Sequence, residues 1–248
     1  MPGNRAAVVT GHSRGLGAAI AAELLARDVR VLGLARNENP ELAQRHGSAL
    51  TQLRLDLADL ATVTLWLESD ALTRFLGECD LALLINNAGL LQPLAPLEKQ
   101  EPADVVRAIS VNVGAVLALS AAFVAATDDV AERRILHISS GAGRKAYAGW
   151  SVYCASKAAL DHHARAVATD RTERLRISAV APGVIDTYMQ DLIRASNAND
   201  VPDRQRFEDM WREGRLQNPT DVARSLADFV LSDGFGSEPV SELRRVTA

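Results

Sequence analysis

Short, uniformly apolar runs alternate along the chain with longer segments whose apolar residues recur every three or four positions. The first kind reads as strands covered on both faces, the second as helices packed by one face. On this pattern strands are predicted at Arg5 to Thr10, Val29 to Ala35, Leu50 to Leu55, Leu81 to Ile85, Arg134 to Ser139 and Arg176 to Ala181. A short last strand is predicted within Val240 to Val246. Helices are predicted over Gly15 to Arg27, Asp59 to Phe75 with Asp59 as N-cap, Pro102 to Ala126, Gly149 to Asp170 and Thr220 to Leu231. Alternation of this kind, with right-handed crossovers, predicts an α/β fold: a doubly wound parallel sheet of about seven strands with helices on both faces. No linker, repeat or low-complexity tract interrupts it, so residues 1–248 read as one domain. The polar stretch 188–217, with scattered Met189, Leu192, Ile193, Phe207, Met210 and Trp211, is either a substrate lid or two surface helices on the sheet edge.

Composition narrows the class. Of 248 residues, 48% are hydrophobic, enough for a sizeable core, and the net charge of -4 lacks the concentrated basic charge of a nucleic-acid footprint. Arg133-Arg134 and Arg244-Arg245 read as solvated ends. Cys79 and Cys154 form no Cys-x-x-Cys pattern, which fits a reducing compartment. The first ten residues lack the charged and long apolar regions of a signal peptide, and the apolar stretch Val113 to Ala126 is too short to span a bilayer. The expectation is a soluble cytoplasmic protein with no nucleic-acid or membrane partner. His12, His46, His137, His162 and His163 show no metal-ligand spacing, and His137, inside a strand, reads as a satisfied core residue.

The loop Thr10-Gly11-His12-Ser13-Arg14-Gly15-Leu16-Gly17 joins the first strand to the first helix. Glycines there permit a tight turn, close approach of backbone to a pyrophosphate and tight helix–strand packing, with helix N-terminal amides facing the phosphates. That is the Rossmann-fold arrangement for a dinucleotide, although the spacing is Gly-x-x-x-Gly-x-Gly. At the end of strand two, where a carboxylate would hold the ribose 2′-OH of NAD, stands Arg36. With Arg14 it forms a pair of guanidinium groups suited to a 2′-phosphate, which argues for NADP (NADPH); Glu38 is the competing candidate.

Tyr153 and Lys157, four apart on a predicted helix, share one face about a turn apart. A fixed ammonium beside a phenol favours phenolate, so the Tyr153 pKa is expected to fall from about 10 toward neutrality. Trp150 and Tyr147 either line a substrate mouth or simply pack. Cys154 is expected to point away from the site and to be redox-inert.

Together these residues, with Asp56 after strand three, Asn86-Asn87-Ala88-Gly89 after strand four, Asn112, Ser140 and Pro182-Gly183, make the chain resemble a short-chain dehydrogenase/reductase over nearly its whole length. Within that family it is most similar to sepiapterin reductase and the bacterial benzil reductases. The narrower likeness rests on Gly149-Trp150-x-x-Tyr153-Cys154-Ala155-x-Lys157-Ala158-Ala159 and Pro182-Gly183-x-x-Asp186-Thr187-x-Met189-Gln190. The resemblance implies reduction of a small ketone or diketone by NADPH. Tyr153 would be the proton donor and Ser140, rather than Ser139, would bond the same substrate oxygen. Lys157 would serve the phenol and the nicotinamide ribose, and Asn112 would hold a water in a proton relay. It assigns cofactor contacts to Gly11, Ser13, Arg14, Gly15, Leu16, Gly17 and Arg36. Asp56 and Leu57 would meet the adenine and Asn87, Ala88 and Gly89 the adenosine ribose, with Asn86 fixing the turn. Pro182, Gly183, Val184 and Thr187 would cover the nicotinamide side. It also implies a homodimer or homotetramer through the Gly149 to Asp170 helix, with Val152, Ala155, Ala159 and Ala166 as an outer stripe unless they pack inward. A 3-oxoacyl-thioester reductase and a non-catalytic NADP-binding regulator are the alternatives. The stretch Ser232 to Ala248 lacks the family's common Gly-Gly-rich ending, and Glu238 and Glu242 are the only candidates for a pterin-binding acid.

Overall fold

A computed structural model describes residues 4–246. The strands are β1 Arg5–Thr10, β2 Val29–Ala35, β3 Leu50–Arg54, β4 Leu81–Asn86, β5 Glu132–Ile138, β6 Leu175–Ala181 and β7 Val240–Glu242. All pair in parallel, in the order β3-β2-β1-β4-β5-β6-β7. Alternation of side chains along each strand feeds two cores. Ala7, Val9, Leu83 and Ile85 face α1 (Gly15–Leu25) and α10 (Pro219–Leu231). Ala6, Val8, Ala82 and Leu84 face the helices on the other side, among them α3 (Leu60–Leu67), α4 (Ala71–Leu76) and α6 (Ala115–Ala126). The doubly wound α/β expectation is met. The chain leaves β1 for β2 and β3 on one side and resumes at β4 on the other, so the crevice beside β1 and β4 lies at a topological switch point.

Asp59 caps α3 through its carboxylate and the Thr62 amide, at 3.1 Å. The helix then breaks at Ser69-Asp70 before α4, where a single helix was expected. A helix that the apolar pattern missed, α2 (Pro40–His46), is set by Asn39, whose side chain accepts from the Leu42 amide, with Pro40 next to it. The stretch from Pro102 to Ala126 divides into α5 (Pro102–Ile109), a π turn at Ser110–Gly114, and α6. By length and composition it is apolar enough to cross a membrane, but Ala108, Val111, Ala115, Leu119 and Phe123 are buried, as in a core helix. The π turn carries the buried Asn112, whose side chain spans to the Leu90 main chain.

Arg133 and Arg134 correct an expectation. They are 2% and 3% exposed, not solvated ends. Arg134 Nη1 donates to the carbonyls of Val230 at 2.6 Å and Ser232 at 2.7 Å, supplying partners for the end of α10. His137 is fully buried, between Asn86 at 3.2 Å and His163 at 3.0 Å, as expected of a core histidine.

α7 (Ser151–Asp170) begins two residues later than expected. On it Ala155 and Ala166 are exposed, Ala159 is half-buried and Val152 is buried, so the expected outer stripe loses its largest member. Residues 188–217 form α8 (Tyr188–Arg194) and α9 (Arg204–Arg212). Ile193, Val201 and Phe207 pack on Leu91, Trp150 and Tyr153. The excursion closes where Gln217 pairs with the segment after β6: its amide donates to Val184 O at 2.9 Å and its carbonyl accepts from Asp186. A short α11 (Leu243–Val246) ends the described chain.

Candidate active site

The carboxyl ends of β1, β4, β5 and β6 open into one cavity of about 1320 Å³. Its phosphate end is the glycine loop. A Cβ on Gly17 would lie 2.1 Å from the Gly11 carbonyl oxygen, so only glycine lets the start of α1 seat against the turn. Gly11 has φ +72° and abuts Asn87 and Ala88. Thr10 Oγ1 accepts from the amides of Asn87 at 2.9 Å and Ala88 at 3.0 Å, which ties the ends of β1 and β4 together.

Most of the predicted residues line this cavity: Gly11, Ser13, Arg14, Gly15, Leu16, Gly17, Arg36, Asp56, Leu57, Asn87, Ala88 and Gly89, then Ser140, Tyr153, Lys157, Pro182, Gly183, Val184 and Thr187. Arg14 and Arg36 are exposed on the wall and form no ion pair among the described residues. Arg14 stacks on the Tyr188 ring, its guanidinium carbon 4.7 Å from the centroid. Glu38, the competing reader of the ribose, is not part of the wall. Asp56 accepts from the Ala58 amide and sits 3.5 Å from Arg107. Glu242 and Arg244 also reach the wall, whereas Glu238 does not.

Asn112 is the exception. It is fully buried behind the wall, with its amide spent on Leu90 N and O, both at 2.7 Å, and on Ser156 Oγ at 3.2 Å. It still approaches the site: a Cβ on Gly89 would lie 3.5 Å from Asn112 Oδ1 and 3.7 Å from Lys157 Nζ.

Lys157 Nζ donates to the Ile138 carbonyl at 2.7 Å and lies 5.6 Å from the Tyr153 ring centroid. Both side chains are buried, 4% and 6% exposed. The expected fall in the Tyr153 pKa does not occur. Burial pushes the phenol up to about 12, opposed by the Ser140 hydroxyl. Burial also pulls the Lys157 ammonium down to about 8, opposed by the Asp161 carboxylate. Desolvation is the dominant cause for both groups. The result is a phenol that keeps its proton at neutral pH, the form a proton donor needs.

At the far end Trp150 stacks on Phe207 at 5.5 Å, meets Tyr147 at 5.2 Å and crosses Tyr153 edge-on at 5.9 Å. Trp150 and Tyr147 pack on each other, and both line the cavity. Cys154 is half-buried, off the wall, with its thiol toward the Lys145 carbonyl. Among the described residues no cluster has the composition of a metal site.

Residues 5–198 match the family model for short chain dehydrogenase. The chain belongs to that family. This short-chain dehydrogenase is 33% identical to a benzil reductase ((S)-benzoin forming) of Bacillus cereus, over 98% of this chain and 99% of that protein. It is also 33% identical to the 3-oxoacyl-[acyl-carrier-protein] reductase FabG of Escherichia coli, over 92% of this chain and 89% of that one. A crystal structure of a short-chain dehydrogenase/reductase from Burkholderia vietnamiensis matches with a TM-score of 0.72 and 47% identity, over 97% of each chain. The protein is therefore an oxidoreductase of this family, built for a nicotinamide cofactor.

The sequence did not single out Leu91 and Gln217, nor assign a role to Phe207. None carries polar chemistry of its own, except Gln217, whose partners lie in a distant strap. Asp161 was also missed, although its spacing of four from Lys157 was a usable signal.

Proposed function

We propose that the protein is an NADPH-dependent carbonyl reductase that acts on a small ketone or diketone. The observation that carries this reading is the convergence of Ser140, Tyr153 and Lys157 in one cavity with two guanidinium groups at its other end that form no ion pair among the described residues. The residues present fit the cofactor. Gly11 and Gly17 leave the main chain bare where a pyrophosphate approaches, and Arg14 and Arg36 supply charge for a 2′-phosphate.

When bound, NADPH supplies the hydride. The chain supplies the rest. Ser140 Oγ, held by the Ala142 amide at 3.2 Å, donates its hydrogen to the substrate oxygen as negative charge grows there. The Tyr153 phenol delivers its proton to the same oxygen. Lys157 would hold the nicotinamide ribose and, as an ammonium, would steady the phenolate that remains. Asn112 keeps the Leu90 segment against the Lys157 side of the site.

The aromatic wall of Trp150, Tyr147 and Phe207 supports a compact aromatic ketone over a long acyl thioester, the same-class rival. A regulator that bound NADP without turnover would need no such gathering of Ser140, Tyr153 and Lys157. Exposed Val106 and Leu117 on α5 and α6 support association with a second copy, as a homodimer or homotetramer. Free Cys79 and Cys154 support a cytoplasmic site of action. Mixing the protein with NADPH and benzil and following cofactor absorbance tests the reading. Oxidation of NADPH that needs the diketone is expected. Tight NADPH binding with no turnover across a broad carbonyl panel would favour the regulator.

A further inference from the structure

Asp161 is 1% exposed, and none of the roles assigned above uses it. A buried carboxylate is costly unless it is paired. It lies four residues after Lys157 and eight after Tyr153, on the same face of α7. One carboxylate oxygen accepts from the Ser139 hydroxyl. The other has no hydrogen-bond partner and sits 3.8 Å from Arg144 Nε.

We propose that Asp161 is a positioning residue: it clamps both ends of the 139–144 segment to α7 and so holds Ser140 and Lys157 in one frame. The inference rests on the reading in which Ser140, Tyr153 and Lys157 do the chemistry. Between the two clamped ends the segment has little slack. The Gly143 amide donates to the Ser140 carbonyl at 3.0 Å. Gly143 itself lies on the α7 main chain, where a Cβ would come within 2.9 Å of the Lys157 carbonyl carbon. The Asp161 contacts thus restrain how far Ser140 can shift relative to α7. The same carboxylate acts on Lys157. The groups that face Asp161 are Ser139 and Arg144 from the strand-end segment, and Lys157 and Arg165 from its own helix. Its charge opposes the desolvation that pulls the Lys157 ammonium down.

Asp161→Asn keeps the side-chain shape and an acceptor for Ser139 but removes the charge. With NADPH and benzil, kcat is expected to fall between about 10-fold and about 100-fold, the range in which small misplacements act, while NADPH affinity at neutral pH is retained. The alkaline limb of the kcat profile is expected to move to lower pH, because Lys157 loses the charge that raises it. A merely structural carboxylate would not move that limb. Wild-type kcat with an unmoved alkaline limb overturns the proposal. If Asp161→Asn does not fold, Arg144→Gln breaks the clamp from its half-exposed side. Reduced kcat with retained NADPH affinity in that variant supports the proposal, and wild-type kcat overturns it. Wild-type protein that never oxidises NADPH sinks the reductase reading itself, a result distinct from a wild type that turns over and a variant that matches it.

Discussion

Lys157 keeps its proton in an unfolded chain up to about pH 10.4, whereas in the fold burial pulls it down to about 8. Between those values the unfolded chain binds more protons than the native one, so stability rises with pH. Below the folded value both states are charged, and the native state carries the whole cost of burying an ammonium, on the order of 3 kcal/mol. Between about pH 7.5 and about pH 9.5 the gain is about 2 kcal/mol. Two other groups act in the opposite direction. Burial raises the Cys79 thiol and pushes Tyr153 up to about 12, so the unfolded chain loses those protons first and stability falls as each ionises. A Lys157→Met variant keeps both and lacks only the ammonium. Urea midpoints of wild type and variant, taken without cofactor across this window, isolate the lysine. The difference is expected to shift by about 2 kcal/mol toward wild type as pH rises. A difference that stays flat would mean that Lys157 titrates as it does in water, and the desolvated site described here would be wrong.

Two more outcomes follow from the ends of the cavity. Arg36→Ala is expected to weaken NADPH binding by roughly 10-fold or more, the worth of hydrogen bonds to a charged phosphate, with NADH little changed; equal losses for both cofactors in a titration would remove the 2′-phosphate role. Trp150→Ala empties the centre of the aromatic cluster, so a loss of about 3–5 kcal/mol in urea unfolding is expected, with a higher KM for benzil; a variant of unchanged stability and KM would contradict the packing of Trp150 on Phe207 and Tyr147.

The strands were legible because a parallel strand covered on both faces leaves an unbroken apolar run, as Leu81 to Ile85 does. The glycine loop and Tyr153–Lys157 were legible because their chemistry is local. What was not legible depends on contacts distant in sequence. The apolar period runs through Ser110–Gly114, so nothing local reports the π turn that Asn112 makes by reaching Leu90. Arg133-Arg134 read as solvent-facing because the carbonyls that Arg134 serves at the end of α10 lie far along the chain. The Tyr153 pKa was misjudged for the same reason. One neighbouring charge is visible in a pentapeptide, whereas desolvation by α8, α9 and the Leu91 segment is visible only in the fold.

The central claim is that the Tyr153 phenol delivers the proton while Ser140 and Lys157 hold the reacting oxygen and the cofactor. Tyr153→Phe removes that proton and the hydroxyl's contacts with Ser140 and with the Met189 sulfur, the latter at 3.9 Å, and leaves the ring in place. With NADPH and benzil at saturation, kcat is expected to fall by about 100-fold to 10,000-fold, the usual contribution of a positioned acid, with NADPH binding intact. A Tyr153→Phe protein that reduces the diketone at the wild-type rate would contradict the account.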